Sequence, residues 1–143
     1  MLAEGAIMAH ILLSDFLSFA IGLHRGTTLE DFQNVFQIVL KTYPMNDGTV
    51  QGFDKNIVAY FDGAGLYRVE LLATDRAYSD GIDMQGLRLD GEEILEWLHG
   101  KNIGYAKLIL ETDETGETYQ LTFASKADVV IVSGKVQRIA ISY

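Results

Sequence analysis

With 143 residues, 48% of them hydrophobic and 22% charged, the chain has the composition of one folded domain and not of a disordered segment. It contains no cysteine, which excludes disulfides, thiolate nucleophiles and cysteine-based metal sites. Twenty acidic against 11 basic residues give a net charge of -9, a surface that repels phosphate backbones, so direct nucleic-acid binding is not expected.

The first apolar stretch, "AEGAIMAHILLSDFLSFAIGL", has no basic leader, starts with Glu4 and is interrupted by His10 and Asp15. It predicts an N-terminal amphipathic helix over about 5–17 leading into a strand, with no signal peptide and no membrane span. A helix is expected next from Thr27 to about Lys41, with Leu29, Phe32, Phe36, Val39 and Leu40 on one face. Thr27 and Glu30 have the spacing of a capping box, and Pro44 followed by Asn46-Asp47-Gly48 ends the helix in a turn. "NIVAYF" and "GLYRVELL" then read as a hairpin about Asp62-Gly63-Ala64, followed by a polar loop and a strand in "IDMQGLRL". Asp90 with Glu93 opens a second capped helix carrying Ile94, Trp97 and Leu98, which Gly100 closes. The remainder is β: "YAKLILE" and "ETYQLTFA" around the tip "TDETG", then "DVVIVS" and "KVQRIAISY" around Ser133-Gly134.

The two helical segments are related. Shifted by 65 positions, Gly26 falls on Gly91, Leu29 on Ile94, Asp31 on Glu96 and Phe32 on Trp97. Each is preceded by a Gly-Leu pair (Gly22-Leu23, Gly86-Leu87) and followed by hairpin strands. The expected architecture is α+β: two tandem β-α-β-hairpin repeats, at about 19–72 and 82–143 of a single domain, sharing one mainly antiparallel sheet with helices on one face.

Motifs for chemistry are missing. His10, His24 and His99 share no metal-ligand spacing, and none of the serines stands in a GxSxG elbow. "DETGE" (113–117) lacks the ligand series of a calcium loop, and "DGAGLYR" has Arg68 where a dinucleotide fingerprint needs its third glycine. No catalytic residue, cofactor or metal is therefore expected. What stands out is charge: from Asp62 to Glu117 there are 13 acids and five bases. Asp80, Asp83, Asp90, Glu92, Glu93 and Glu96 crowd the start of the second helix, where the helix dipole favours acids and a basic protein would find a docking patch. Tyr78, Tyr105 and Trp97 lie nearby in sequence as candidate aromatic anchors, although Trp97, which matches Phe32 on the buried face, is expected in the core.

The twice-used phrase G-L-x(3,4)-G-x-x-[LI]-x-[DE]-[FW], with hairpins after it, resembles the tandem helix-plus-sheet modules of the β-lactamase inhibitor protein and SmpA outer-membrane lipoprotein family, over about Phe19 to Tyr143. In overall character the chain is similar to bacterial toxin immunity proteins. Both resemblances imply a cytoplasmic or exported protein that inhibits by binding; with no cysteine and no export signal, the cytoplasmic form is expected. The functional expectation is a non-enzymatic inhibitor or immunity protein whose partner is another protein, such as a basic toxin domain, and not a membrane. A small-molecule-binding module, with a pocket between the sheet and the N-terminal helix, and an enzyme are the alternatives. The sequence leaves the oligomeric state open.

Overall fold

The computed structural model describes residues 11–18, 21–73, 78–87 and 90–143. In chain order these form β1 (Ile11–Leu12), α1 (Leu13–Ser18), α2 (Leu29–Phe36), β2 (Lys41–Pro44), β3 (Val50–Asp54), β4 (Ile57–Asp62), β5 (Gly65–Leu72), β6 (Ile82–Asp83), α3 (Gly91–Gly100), β7 (Ala106–Asp113), β8 (Gly116–Thr122), β9 (Ala127–Val132) and β10 (Lys135–Ser142). Eight strands make one antiparallel sheet in the order β2-β3-β4-β5-β10-β9-β8-β7, and β1 pairs in parallel with β6 in a separate two-stranded ladder.

The expected α+β class is overturned. The protein is mostly β, with an eight-stranded sheet against described helices of only 6, 8 and 10 residues. Its units are not β-α-β-hairpins: each is a helix followed by a four-stranded meander. Among the described residues no strand of the large sheet lies directly before α2 or α3, and ahead of α2 Ile21 and Gly22 both take positive φ and turn the chain. Of the strand expected in "IDMQGLRL", only Ile82–Asp83 extends among the described residues, and it joins β1; Arg88 and Leu89 lie outside them. Near the N-terminus, within the described residues, a short strand leads into a helix, where a helix leading into a strand was expected; residues 1–10, which include the first part of the expected helix, are outside the described residues.

The sheet order reads as a mirrored pair of meanders. Strands β2 to β5 run inward from one edge, β7 to β10 run inward from the other, and β5 pairs with β10 at the centre, Leu71 opposite Ile139 and Val69 opposite Ile141. Alternation sends Ala59, Val69, Leu71, Leu121, Val129, Ile139 and Ile141 to one face. There they form a single core with Phe16 of α1, Phe32 and Phe36 of α2, and Ile94 and Leu98 of α3.

Helix α2 is shorter than its apolar pattern suggests. Gln37 adopts the left-handed conformation, its N–H bonds to the Gln33 carbonyl, and the Gln33 side chain accepts from the Leu40 N–H at 2.8 Å. Lys41–Pro44 then pairs with β3 as an edge strand, a place where Pro44 needs no ladder donor. The cap also differs from expectation. Thr28, not Thr27, accepts the Asp31 N–H at 3.1 Å, while the buried Thr27 hydroxyl accepts from His24 N at 2.9 Å. In α3 the cap is Asp90, 62 positions after Thr28. The spatial register of the two helices is thus 62 and not 65, which matches Phe32 with Ile94 and Phe36 with Leu98, all fully buried. Trp97 packs against the core only in part.

Candidate functional site

Helix α3 begins where it crosses the β9–β10 turn. Asp90 Oδ1 accepts the Glu92 N–H at 3.0 Å and the Glu93 N–H at 3.3 Å, and its Oδ2 lies 3.5 Å from Lys135 Nζ. The Gly91 N–H donates to the Gly134 carbonyl at 2.8 Å, fastening helix to hairpin. The Glu93 N–H first, then the Glu92 N–H and the Lys135 ammonium, hold the Asp90 carboxyl below the usual carboxylate range. The cap is therefore charged at neutral pH.

Asp90, Glu92, Glu93 and Glu96 line one open cleft of about 490 Å³, with Lys135 as the basic residue beside them. A second cleft of about 340 Å³ adjoins it, sharing Glu93 and Glu96 and adding Trp97 and the turn 85–87. The structure thus brings together four of the six acids singled out by sequence. Asp80 and Asp83 do not line these clefts: Asp80 lies 4.0 Å from Lys55, and Asp83 Oδ1 accepts the Gln85 N–H at 2.8 Å in its own turn. Of the aromatic residues, Trp97 borders the second cleft, whereas Tyr105 lies edge-on to His99 beyond the C-terminus of α3. Among the described lining residues, four carboxylates beside the Lys135 ammonium make this a surface for cationic groups, with no nucleophile. Nowhere among the described residues do three or more His, Asp or Glu gather to hold a metal ion.

The matching corner of the first half has the opposite charge arrangement. There the base, Arg25, is on the segment entering the helix, and the acid, Asp62, is on the β4–β5 hairpin. Arg25 also donates to the Gly65 and Leu66 carbonyls at 3.1 and 3.2 Å, and its bond to Asp62 holds that carboxyl below its ordinary range. The cleft here, about 370 Å³, is lined by Leu29, Val50, Phe61 and backbone of the turn, and so is mainly apolar. The space under α1, where a ligand pocket was an alternative expectation, is filled by Leu13, Phe16 and Leu17, all fully buried.

A feature that sequence reasoning missed lies on the second face of the sheet. Val58, Glu70, Ala140 and Asp128 follow one another across strands β4, β5, β10 and β9, with Arg68 and Arg138 in the neighbouring rows. Tyr60 donates to Glu70, Arg68 bridges Glu70 at 3.2 Å, and Arg68 donates to Ser142 Oγ at 2.7 Å. Burial, then the bond to Glu70, pushes the Tyr60 phenol up to about 12. Asp128 Oδ1 and Arg138 Nε are buried with no hydrogen-bond partner among the described residues. Burial raises the Asp128 carboxyl, against the opposing pull of Arg138 and Arg68. A raised folded-state value means that the favourable contribution of the protonated form is present below the unfolded value and is lost as pH rises through the folded one. Asp128→Asn is accordingly expected to raise Tm slightly at pH 7, with the difference closing towards pH 3. A lower Tm at pH 7 would show that the cluster needs the negative charge.

Lys135 was missed as well, because it lies 45 residues from Asp90 in sequence. The alternation of Arg68 and Glu70 with Val69 and Leu71 was the available signal for the charged face. Comparison with protein-family models, curated proteins and solved structures gives no match. The function therefore rests on the geometry.

Proposed function

We propose that the protein is a non-enzymatic binding protein that docks a basic partner protein at the start of α3, in the manner of an inhibitor or a toxin immunity factor. The observation that supports this is the gathering of Asp90, Glu92, Glu93 and Glu96 at one cleft, continuous with a second that exposes part of Trp97. An aromatic anchor beside a carboxylate rim combines packing energy with electrostatic selection of a basic surface. The net charge of -9 adds long-range attraction for such a partner.

The test begins with the product of the adjacent gene as bait. A complex whose association slows about tenfold or more between low and high salt is expected, as for a charge-steered encounter. Glu92→Lys, Glu93→Lys and Glu96→Lys together should slow association by a similar factor at low salt and flatten its salt dependence. Asp90 is left intact, since its carboxylate caps the helix. No captured protein, or an association rate indifferent to the three reversals, would refute the docking site.

A further inference from the structure

The two outer strands of the sheet are protected very differently. Strand β2 has four residues, begins with Lys41 and ends with Pro44, devices that discourage pairing. Strand β7 has eight residues, exposed throughout, and among the described residues pairs only with β8. Leu108, Ile109 and Leu110 are 58%, 51% and 52% exposed. The register shift after Ile109 interrupts the alternation there, so these three aliphatic side chains spread around the strand. The one basic residue on β7 does not guard its free edge: the Lys107 ammonium sits 4.3 Å over the Tyr119 ring and 3.6 Å from Glu117, both on β8.

A long, apolar edge without protection is a template for another strand. Its charge indicates which one. Lys101 and Lys107 lie before and near its start, whereas Glu111, Asp113 and Glu114 lie at its end and in the following turn. Charge thus runs from basic to acidic along the strand, which makes it complementary to itself when reversed.

We propose that two copies of this chain associate through β7, antiparallel about a two-fold axis near Ile109, extending the sheet across the contact. The aliphatic residues 108–110 of the two copies then meet, and the basic start of each strand comes level with the acidic end of the other. A parallel pairing would set like charges together. The contact is isologous, so it closes at two copies. The bulge limits continuous pairing to a few residues, which suits a closed dimer better than a fibre. The molecule already joins its own two halves this way, through the antiparallel β5–β10 pair. This inference is independent of the acidic cleft on α3.

Sedimentation of the full chain from about 1 to 200 µM is the test, with a monomer–dimer equilibrium in the micromolar range expected for a contact of this modest size. Ile109→Lys should weaken the dimer at least tenfold while leaving the far-UV spectrum unchanged, because the side chain is half exposed. Lys107→Glu and Glu111→Lys should each weaken self-association, and mixing these two variants should restore a dimer, since each then meets opposite charge on the other. This mixing result decides the matter even if Ile109→Lys fails to fold. A chain that stays monomeric at 200 µM overturns the proposal. So does a series of species beyond the dimer that Tyr43→Lys on β2 abolishes, which would mean β7 pairs with β2. Reversal of Glu92, Glu93 and Glu96 should leave the dimer intact.

Discussion

Phe32→Ala is expected to lower stability by about 3–5 kcal/mol, the range for removing a large aromatic side chain from a packed core. For a chain of this size that is a fall in Tm on the order of 10–15 °C. Phe32 is fully buried, with its ring 4.7 Å from Phe36 and 6.0 Å, edge-on, from Phe61. It joins α2 to the hairpin that follows it, so truncation leaves a cavity on two sides. Trp97→Ala should have less than half that effect, since Trp97 lies partly in solvent. This contrast tests the register of the two helices. Under the 65-position alignment Phe32 and Trp97 are equivalents and should matter equally; under the 62-position register the equivalent of Phe32 is Ile94. Thermal melts of Phe32→Ala, Ile94→Ala and Trp97→Ala decide between them. Equal losses for Phe32 and Trp97, with a small one for Ile94, would restore the sequence alignment.

A glycine, a branched aliphatic and an aromatic recur at matching spacing, yet Gly26 lies in a turn before Thr28 while Gly91 is already the first residue of α3. Identity of residue types outweighed the position of the cap. The same bias lengthened the first helix. Ile38, Val39 and Leu40 continue an apolar run, but Val39 is 82% exposed, and Leu40 is buried against Gly52 of β3 instead of on a helix face. Nothing in the residue type of Gln37 announces a left-handed stop, because the side-chain cap from Gln33 is a local arrangement that propensity does not encode. Strands were easier to read. Tyr119 and Leu121 alternate with Gln120 and Thr122, and turn residues at 62–64, 113–116 and 133–134 punctuate the hairpins where expected. Those signals are local, whereas the joining of β5 to β10 is a contact between residues some 70 apart, and no local pattern specifies it.

The candidate site was legible to the same extent. Asp90, Glu92, Glu93 and Glu96 come together because a single helical turn and its cap hold them, so their clustering follows from sequence distance alone. Asp83 and Asp80 lie seven and ten residues before Asp90, in β6 and in the turn ahead of it, and do not line the cleft. Lys135 enters the cleft only through the pairing of Gly91 with Gly134, and the charged row Glu70–Ala140–Asp128 exists only once β5, β10 and β9 are aligned. Charge density could be read from the sequence; charge geometry depended on topology.

Topology also makes one glycine decisive. Gly65→Ala is expected to lower stability by about 2–4 kcal/mol, combining backbone strain with a steric clash. Gly65 has φ +110, a conformation that L side chains rarely adopt, and a Cβ there would stand 2.9 Å from the Thr27 carbonyl oxygen and 3.1 Å from that of Arg25. Both obstacles are backbone, and both belong to the segment fastened to β5 by the Leu66 N–H to Thr27 carbonyl bond at 2.8 Å and by Arg25. The segment cannot withdraw without breaking those bonds and tilting the start of α2. Gly52→Ala provides the control. A Cβ at Gly52 would meet Leu40 Cδ1 at 2.8 Å, which a rotamer change can move, and Leu40 Cβ at 3.1 Å, which a shift of a few tenths of an ångström relieves, with ordinary backbone φ at the glycine. Denaturant melts of the two variants should therefore separate, with Gly65→Ala losing at least twice as much stability. Equal losses would mean that close packing, and not the left-handed backbone under the Arg25–Thr27 strap, sets the requirement for glycine. The Arg25–Asp62 pair should respond as well, because its guanidinium is positioned by the Gly65 carbonyl. In Gly65→Ala the Asp62 carboxyl should move back up towards its ordinary range, an outcome that NMR titration of that side chain reads directly.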